Sequence, residues 1–179
     1  LDLSKLAAQA QVPRQSAVRY FEILEDTLIV YRCEAFSSTE RKRLIQHPKY
    51  YFFDTGVLNG ILGNFTASLE RIGFLFEHLV CTQLLSSVLA KDLDCRLSHY
   101  RTEHGAEVDF ILELDGEVVA IEVKATRNIG TADFRGLHSF SEFFKKPHRK
   151  ILFYLGDIEK HINGIEIFPW QLGLKKIGL

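Results

Sequence analysis

Asp115-Gly116 restricts the fold of this chain more than any other pair of residues. Asp-Gly supplies the two left-handed residues of a tight hairpin turn. It stands between two segments, Ala106 to Leu114 and Glu117 to Lys124, that are rich in β-branched and other apolar residues. An antiparallel hairpin with a two-residue turn sets Leu114 against Glu117, and counting outward sets Asp109 against Glu122 and Glu107 against Lys124. Side chains directly opposed in this way have Cβ atoms ~5 Å apart. Strict alternation then places Asp109, Glu122 and Lys124 on one face and turns Val108, Phe110, Ile121 and Val123 into a core. A longer turn or a bulge shifts this pairing.

Two facing carboxylates repel unless something positive lies between them. Mg²⁺ or Mn²⁺ suits the pair, because hard cations take oxygen ligands and Mg²⁺ is usually held by one or two carboxylates with water and substrate phosphate. A lysine beside them can position or deprotonate an attacking water and stabilise charge as a phosphodiester breaks. The simpler alternative pairs Lys124 with Glu107 and leaves both acids solvated. Glu77 favours the metal site. It lies in a helical stretch, Ile72 to about Leu89, where its neighbours one turn away, Gly73, Cys81 and Leu84, are small or apolar. A carboxylate on such a face is costly unless paired or metal-bound. His78, about 100° further round that helix, is expected at the surface or its boundary.

The rest of the sequence supplies a layered α/β framework. A short strand at Arg96 to Arg101 precedes the hairpin. A helix over Phe134 to Phe144 follows it, then a buried strand at Ile151 to Leu155 and a last strand at Ile165 to Phe168. Upstream, Leu3, Leu6, Ala7 and Ala10, then Ala17, Tyr20, Phe21 and Leu24, have the spacing of two apolar helical stripes joined by a tight turn at Gln11, where glycine is more usual. Strand-like Leu28 to Tyr31, the basic run Arg41-Lys42-Arg43 and Tyr50 to Phe53 come next, and together they look like a winged helix-turn-helix. Asp54-Thr55-Gly56 reads as a loop and helix cap. The DNA-binding reading of this module puts Arg14, Gln15, Ser16 and Arg19 on the exposed face of the second helix. Protein docking is the competing reading, since Glu22, Glu25 and Asp26 repel phosphate. The cluster Lys145, Lys146, His148, Arg149 and Lys150 reads either as a nucleic-acid contact or, as charge runs at a helix end more often do, as a solvated loop favoured by the helix dipole.

Composition decides several remaining points. The 22 Lys and Arg balance 23 Asp and Glu, for a net charge of −1, so unaided DNA affinity is weak. Hydrophobic residues at 46% exclude a disordered tail and can fill a core. No apolar run approaches the ~20 residues of a membrane span, and Leu1-Asp2-Leu3-Ser4-Lys5 is not a secretory signal. Cys33, Cys81 and Cys95, odd in number and far apart, are expected as reduced thiols of a cytoplasmic protein. The chain contains no methionine, so Leu1 is expected to lie downstream of the native start.

Glu77 on a helix, Asp109 on a strand and Glu122-Val123-Lys124 on the next resemble the PD-(D/E)XK nuclease superfamily, with Val108 where the motif's proline stands. The phrases Lys49-Tyr50-Tyr51-Phe52-Phe53-Asp54-Thr55-Gly56, Tyr100 to Phe110, Ile121 to Lys124 and Gly136-Leu137 are similar to the C-terminal region of a prokaryotic group of AAA-type ATPases. This resemblance covers about Leu3 to Leu172. It implies a winged helix over 1–66 and a restriction-endonuclease-like mixed sheet flanked by helices over 67–179. It further implies a metal-dependent DNA phosphodiesterase with Glu77, Asp109 and Glu122 as ligands and Lys124 assisting. The alternative is a non-catalytic module that binds nucleic acid or protein. Arg101, near the site, would hold a phosphate or pair with a site acid, with Glu103, His104 and Glu107 as secondary candidates. A P-loop ATPase domain would precede the chain. No G-x-x-x-x-G-K-[ST] occurs within it, so no ATP hydrolysis is expected here.

Overall fold

The computed structural model of the chain describes residues 1–37, 44–45 and 47–179. The basic run Arg41-Lys42-Arg43 lies outside the described residues. Two helices open the chain, α1 (Leu3–Gln9) and α2 (Arg14–Asp26), followed by strands β1 (Val30–Ala35) and β2 (Lys49–Phe52). Asp2 caps α1 through its side chain, and Ala7 and Ala17 are the buried residues of α1 and α2. Gln11 makes the turn between them at φ 54, the left-handed conformation that makes glycine the usual choice there. Tyr20, expected on the apolar stripe of α2, is exposed.

Asp54 caps α3 (Thr55–Leu62) by accepting from Val57 N–H at 2.8 Å, as expected of a helix cap, although the glycine-punctuated stretch that follows it is itself a helix. The long helix α4 (Ile72–Ala90) follows. Strands β3 (Cys95–Arg101), β4 (Glu107–Leu114) and β5 (Glu117–Lys124) come next. A 3₁₀ turn (Thr131–Phe134) leads into α5 (Arg135–Phe144), then β6 (Arg149–Tyr154), β7 (Lys160–Ile162), β8 (Ile165–Pro169) and α6 (Trp170–Lys176). The strands form one mixed sheet in the order β2-β1-β3-β4-β5-β6-β8-β7. The pair β1/β2 is antiparallel, as a wing would be, but β1 also pairs in parallel with β3, so the upstream strands extend the main sheet.

Two cores sandwich that sheet. On one face α4 and α6 pack Phe76, Val80, Cys81, Leu84 and Leu174 onto Phe110, Ile121, Val123 and Phe153. On the other, α5 packs Leu137, Phe140 and Phe143 onto Val108, Ile111, Ala120 and Leu152. Burial of area on both faces is the dominant stabilising term. Cys33, Cys81 and Cys95 are free thiols; burial pushes Cys33 up to about 12 and Cys81 well above its ordinary value, so neither is a ready nucleophile. Among the described residues α4 alone is long and apolar enough to cross a membrane by length and composition. Its run of apolar residues is broken by Glu77 and His78, and its inner side lies against the sheet.

The hairpin forms as its turn dictates. Asp115 and Gly116 both have positive φ, and the ladder pairs Leu114 with Glu117 through to Phe110 with Ile121. Strict alternation fails one step further. The β3–β4 register shifts between Ser98 and Tyr100, which pair with Ile111 and Val108, so β4 holds one extra residue at Asp109–Phe110. Val108 therefore faces the α5 core, not the core of Phe110, Ile121 and Val123.

Candidate active site

The bulge in β4 decides where the acids go. Asp109 sits at the point where the extra residue falls, and its Oδ2 accepts the Val123 N–H at 2.9 Å. Its other oxygen, Oδ1, lies 3.5 Å from Lys49 Nζ. Glu122 follows the alternation of β5 and shares the α5 side with Ala120, away from Ile121 and Val123. Lys124 Nζ meets Glu122 Oε1 at 2.6 Å. The expected flat face of Asp109, Glu122 and Lys124 is thus two groups on either side of a strand end, joined at Asp109.

The group on the α4 side centres on Lys49, which sequence reasoning did not assign. Its ammonium, on the first residue of β2, touches Glu77 Oε1 at 2.9 Å, Glu107 Oε1 at 2.6 Å and Asp109 Oδ1 at 3.5 Å. Tyr51, two residues along the same strand, donates its hydroxyl to Glu77 Oε1 at 2.6 Å. Glu77 is therefore paired on its apolar helix face, as its cost of burial requires. Glu107 also meets Arg101 Nε at 3.7 Å, so Arg101 pairs with a site acid and Lys124 does not take Glu107 as its partner.

Burial shapes the chemistry. Burial, then the nearby Glu77 charge, raises Asp109 to about 6. Burial, then the Asp109 charge, raises Glu122 well above the carboxylate range, and its Oε2 is buried without a hydrogen-bond partner. Lys124 is pushed up: burial opposes its charge, but Glu122 outweighs that and keeps it an ammonium. An orphaned buried carboxylate oxygen on Glu122 and a second buried carboxylate on Asp109 offer oxygen donors of the kind a hard divalent cation takes. Asp109 and Glu122 therefore fit Mg²⁺ or Mn²⁺. Among the described residues no three acidic, histidine or cysteine side chains converge as a ready metal cage. The third acid, Glu77, is drawn to Lys49.

Two histidines, His78 and His99, are buried. His78, expected near the surface, is buried; its Nε2 accepts the Phe52 N–H at 2.9 Å and ties α4 to β2. His99 is 1% exposed, with Nε2 3.1 Å from the His47 carbonyl oxygen. Burial, then Lys49, lowers His99 to about 4. A folded value below the ordinary 6.5 means that the unfolded chain takes up the proton first. The stabilisation is present above about 6.5 and is lost as pH falls through 4. His99→Gln is expected to lose less stability than the wild type between pH 7 and pH 4, by up to about 3 kcal/mol. Urea midpoints of both proteins at the two pH values measure the difference, and equal losses would show that His99 is not held neutral.

The upstream candidates lie apart from these acids. Arg14, Gln15 and Arg19 are exposed on α2 and Ser16 is partly buried. Arg14 Nε donates to Ser4 Oγ at 3.0 Å. No hydrogen bond or ion pair among the described residues joins the four to the acidic cluster. In the downstream basic cluster, Arg149 is committed to a two-pronged pair with Glu166 at 2.9 and 3.0 Å. Lys49 carried one signal in the sequence, its place at the head of Lys49-Tyr50-Tyr51-Phe52; the long-range closure that brings β2 to the hairpin carried none.

Residues 72–172 match the family described as Domain of unknown function (DUF4143), and residues 1–68 match Domain of unknown function (DUF8612). Uncharacterized proteins of Mycobacterium bovis and Mycobacterium tuberculosis are each 34% identical over 127 residues, 69% of this chain. The chain spans 28% of the length of these relatives. No solved structure matches it.

Proposed function

From the premise that this chain belongs to the family described as Domain of unknown function (DUF4143), we propose that it carries a divalent-metal-dependent phosphodiesterase site of the PD-(D/E)XK kind, acting on DNA. The observation that carries this reading is the Asp109–Glu122–Lys124 arrangement, with both acids raised and Glu122 Oε2 left without a partner. With it go a restriction-endonuclease-like fold over 67–179 and a winged helix over 1–66, in a cytoplasmic protein whose P-loop ATPase domain lies in cis.

Asp109 and Glu122 would hold Mg²⁺ or Mn²⁺, with Glu77 as the third acid. The ion would supply a water of lowered pKa and charge stabilisation on the phosphoryl oxygens. Lys124 is a charged donor at neutral pH, so it does not act as a base. It orients the attacking water by hydrogen bonding and offsets negative charge as it grows on the phosphate. Glu122 Oε1 fixes that ammonium at 2.6 Å, so its direction is set before substrate arrives. Arg101, about half exposed and loosely held by Glu107, would meet a neighbouring phosphate.

Nicking of supercoiled plasmid with Mg²⁺ or Mn²⁺ tests the reading. Lys124→Met is expected to lower the single-turnover rate by about 10²–10³-fold, the effect of losing one charge-stabilising donor. The reading fails if wild type cuts no form of DNA and its melting temperature does not respond to either metal. Salt-dependent DNA binding without cleavage would favour a regulatory binding module instead.

A further inference from the structure

We propose that Lys49 is a tethered cation that stands in for the metal: its ammonium offsets part of the charge of Glu77, Glu107 and Asp109 in the metal-free chain and must release Asp109 when a divalent ion binds. The inference rests on the metal-binding reading of Asp109 and Glu122 and adds a competitor within the same chain. Four features carry it.

The first is position. Lys49 Nζ contacts three carboxylates within 2.6–3.5 Å, one of them the acid at the centre of the site. The second is enclosure. The Lys49 side chain is 20% exposed and the Asp109 side chain 12%, so solvent screens their attraction weakly. The third is charge state. Burial works against the ammonium, but Asp109, Glu77 and Glu107 outweigh it and hold it protonated. The fourth is what Lys49 leaves undone. It does not reach Glu122, whose Oε2 has no partner, so the stand-in satisfies only the α4 side of the site.

A singly charged ammonium and a doubly charged ion cannot share Asp109 without strong repulsion in so dry a place. Binding must then work against the lost Lys49 contacts. Glu107 remains for the ammonium to fall back on, and Tyr51 continues to hold Glu77 Oε1. Because Lys49 lies on β2, whatever shifts that strand sets the metal affinity of acids on α4, β4 and β5.

Calorimetric titration with Mn²⁺ of the full chain as wild type and as Lys49→Met tests the proposal. Lys49→Met is expected to bind Mn²⁺ at least 10-fold tighter, or to bind where wild type shows nothing. Equal or weaker binding overturns the proposal and leaves the metal site standing. Absence of binding in both proteins overturns the two together. If Lys49→Met does not fold, the side-chain ammonium resonance of Lys49 in ¹⁵N-lysine-labelled wild type, assigned with Lys49→Arg, decides. A clear shift at Mg²⁺ saturation is expected, and an unchanged resonance sinks the idea.

Discussion

On the metal-site function proposed above, Asp109→Asn is expected to reduce cleavage by about 10³-fold while leaving the metal-free chain at least as stable as wild type at pH 7. The two effects share one cause. Asp109 is buried beside Glu77 and Glu122 and is raised to about 6, against about 3.9 for an unfolded aspartate. Its contribution to stability is whole below pH 4 and is lost as pH rises through 6, because the fold must then carry the charge. Asparagine carries no charge, and its side-chain oxygen can still accept the Val123 N–H that Asp109 takes at 2.9 Å. The cost of the substitution is the Lys49 contact, the longest of that lysine's three. Urea midpoints from pH 4 to pH 7 measure the stability, and plasmid nicking measures the loss of function. A variant less stable than wild type by more than about 1 kcal/mol at pH 7 would mean that attraction to Lys49 exceeds the cost of burying the charge.

The second large effect is expected at Gly136. A Cβ there would stand 1.8 Å from the Glu107 carbonyl oxygen and 2.8 Å from its carbon, both backbone atoms that no rotamer change can move. Gly136 lies in the first turn of α5, so any side chain pushes the helix off β4. Overpacking of this kind costs about 1–3 kcal/mol, and a backbone clash belongs at or above the top of that range. Gly136→Ala is therefore expected to lose about 3 kcal/mol or more. Its Cβ would also come within 3.4 Å of Glu122 Oε2, so cleavage should fall in whatever fraction stays folded. Gly60→Ala is the control. Nothing lies within 4 Å of that position, inside α3, and alanine there should raise stability by about 0.5–1 kcal/mol. Denaturant unfolding of the two variants separates a packing defect from a general intolerance of change. Equal midpoints would refute the close approach of α5 to β4.

Much of the sheet was legible because its signals are local. Asp115-Gly116 fixed the hairpin and its register as far as Phe110 and Ile121, and the apolar runs marked α4, α5 and β6. Asp54 announced the start of α3 by its capping chemistry. Local signals fail where distant strands decide. The extra residue at Asp109–Phe110 exists because β3 pairs on the other side of β4, and nothing within the hairpin reports that pairing. It moved Val108 to the opposite core and split the expected acidic face in two. Lys49 carries no local signal of its partners for the same reason: Glu77, Glu107 and Asp109 are brought to it by the sheet, not by spacing. His78 looked peripheral by helical angle, but β2 covers it.

The parallel contact of β1 with β3 has a consequence for synthesis on the ribosome. Glu34 and Ala35 pair with Ser98 and His99, which are translated only after α3 and α4 have been made. Until then the far edge of β1 offers open backbone groups to any passing strand. The nascent chain is thus expected to be most prone to misassociation between completion of β2 and emergence of β3. A product truncated near residue 68 would keep that edge open, whereas one extended past Arg101 supplies the strand that closes it.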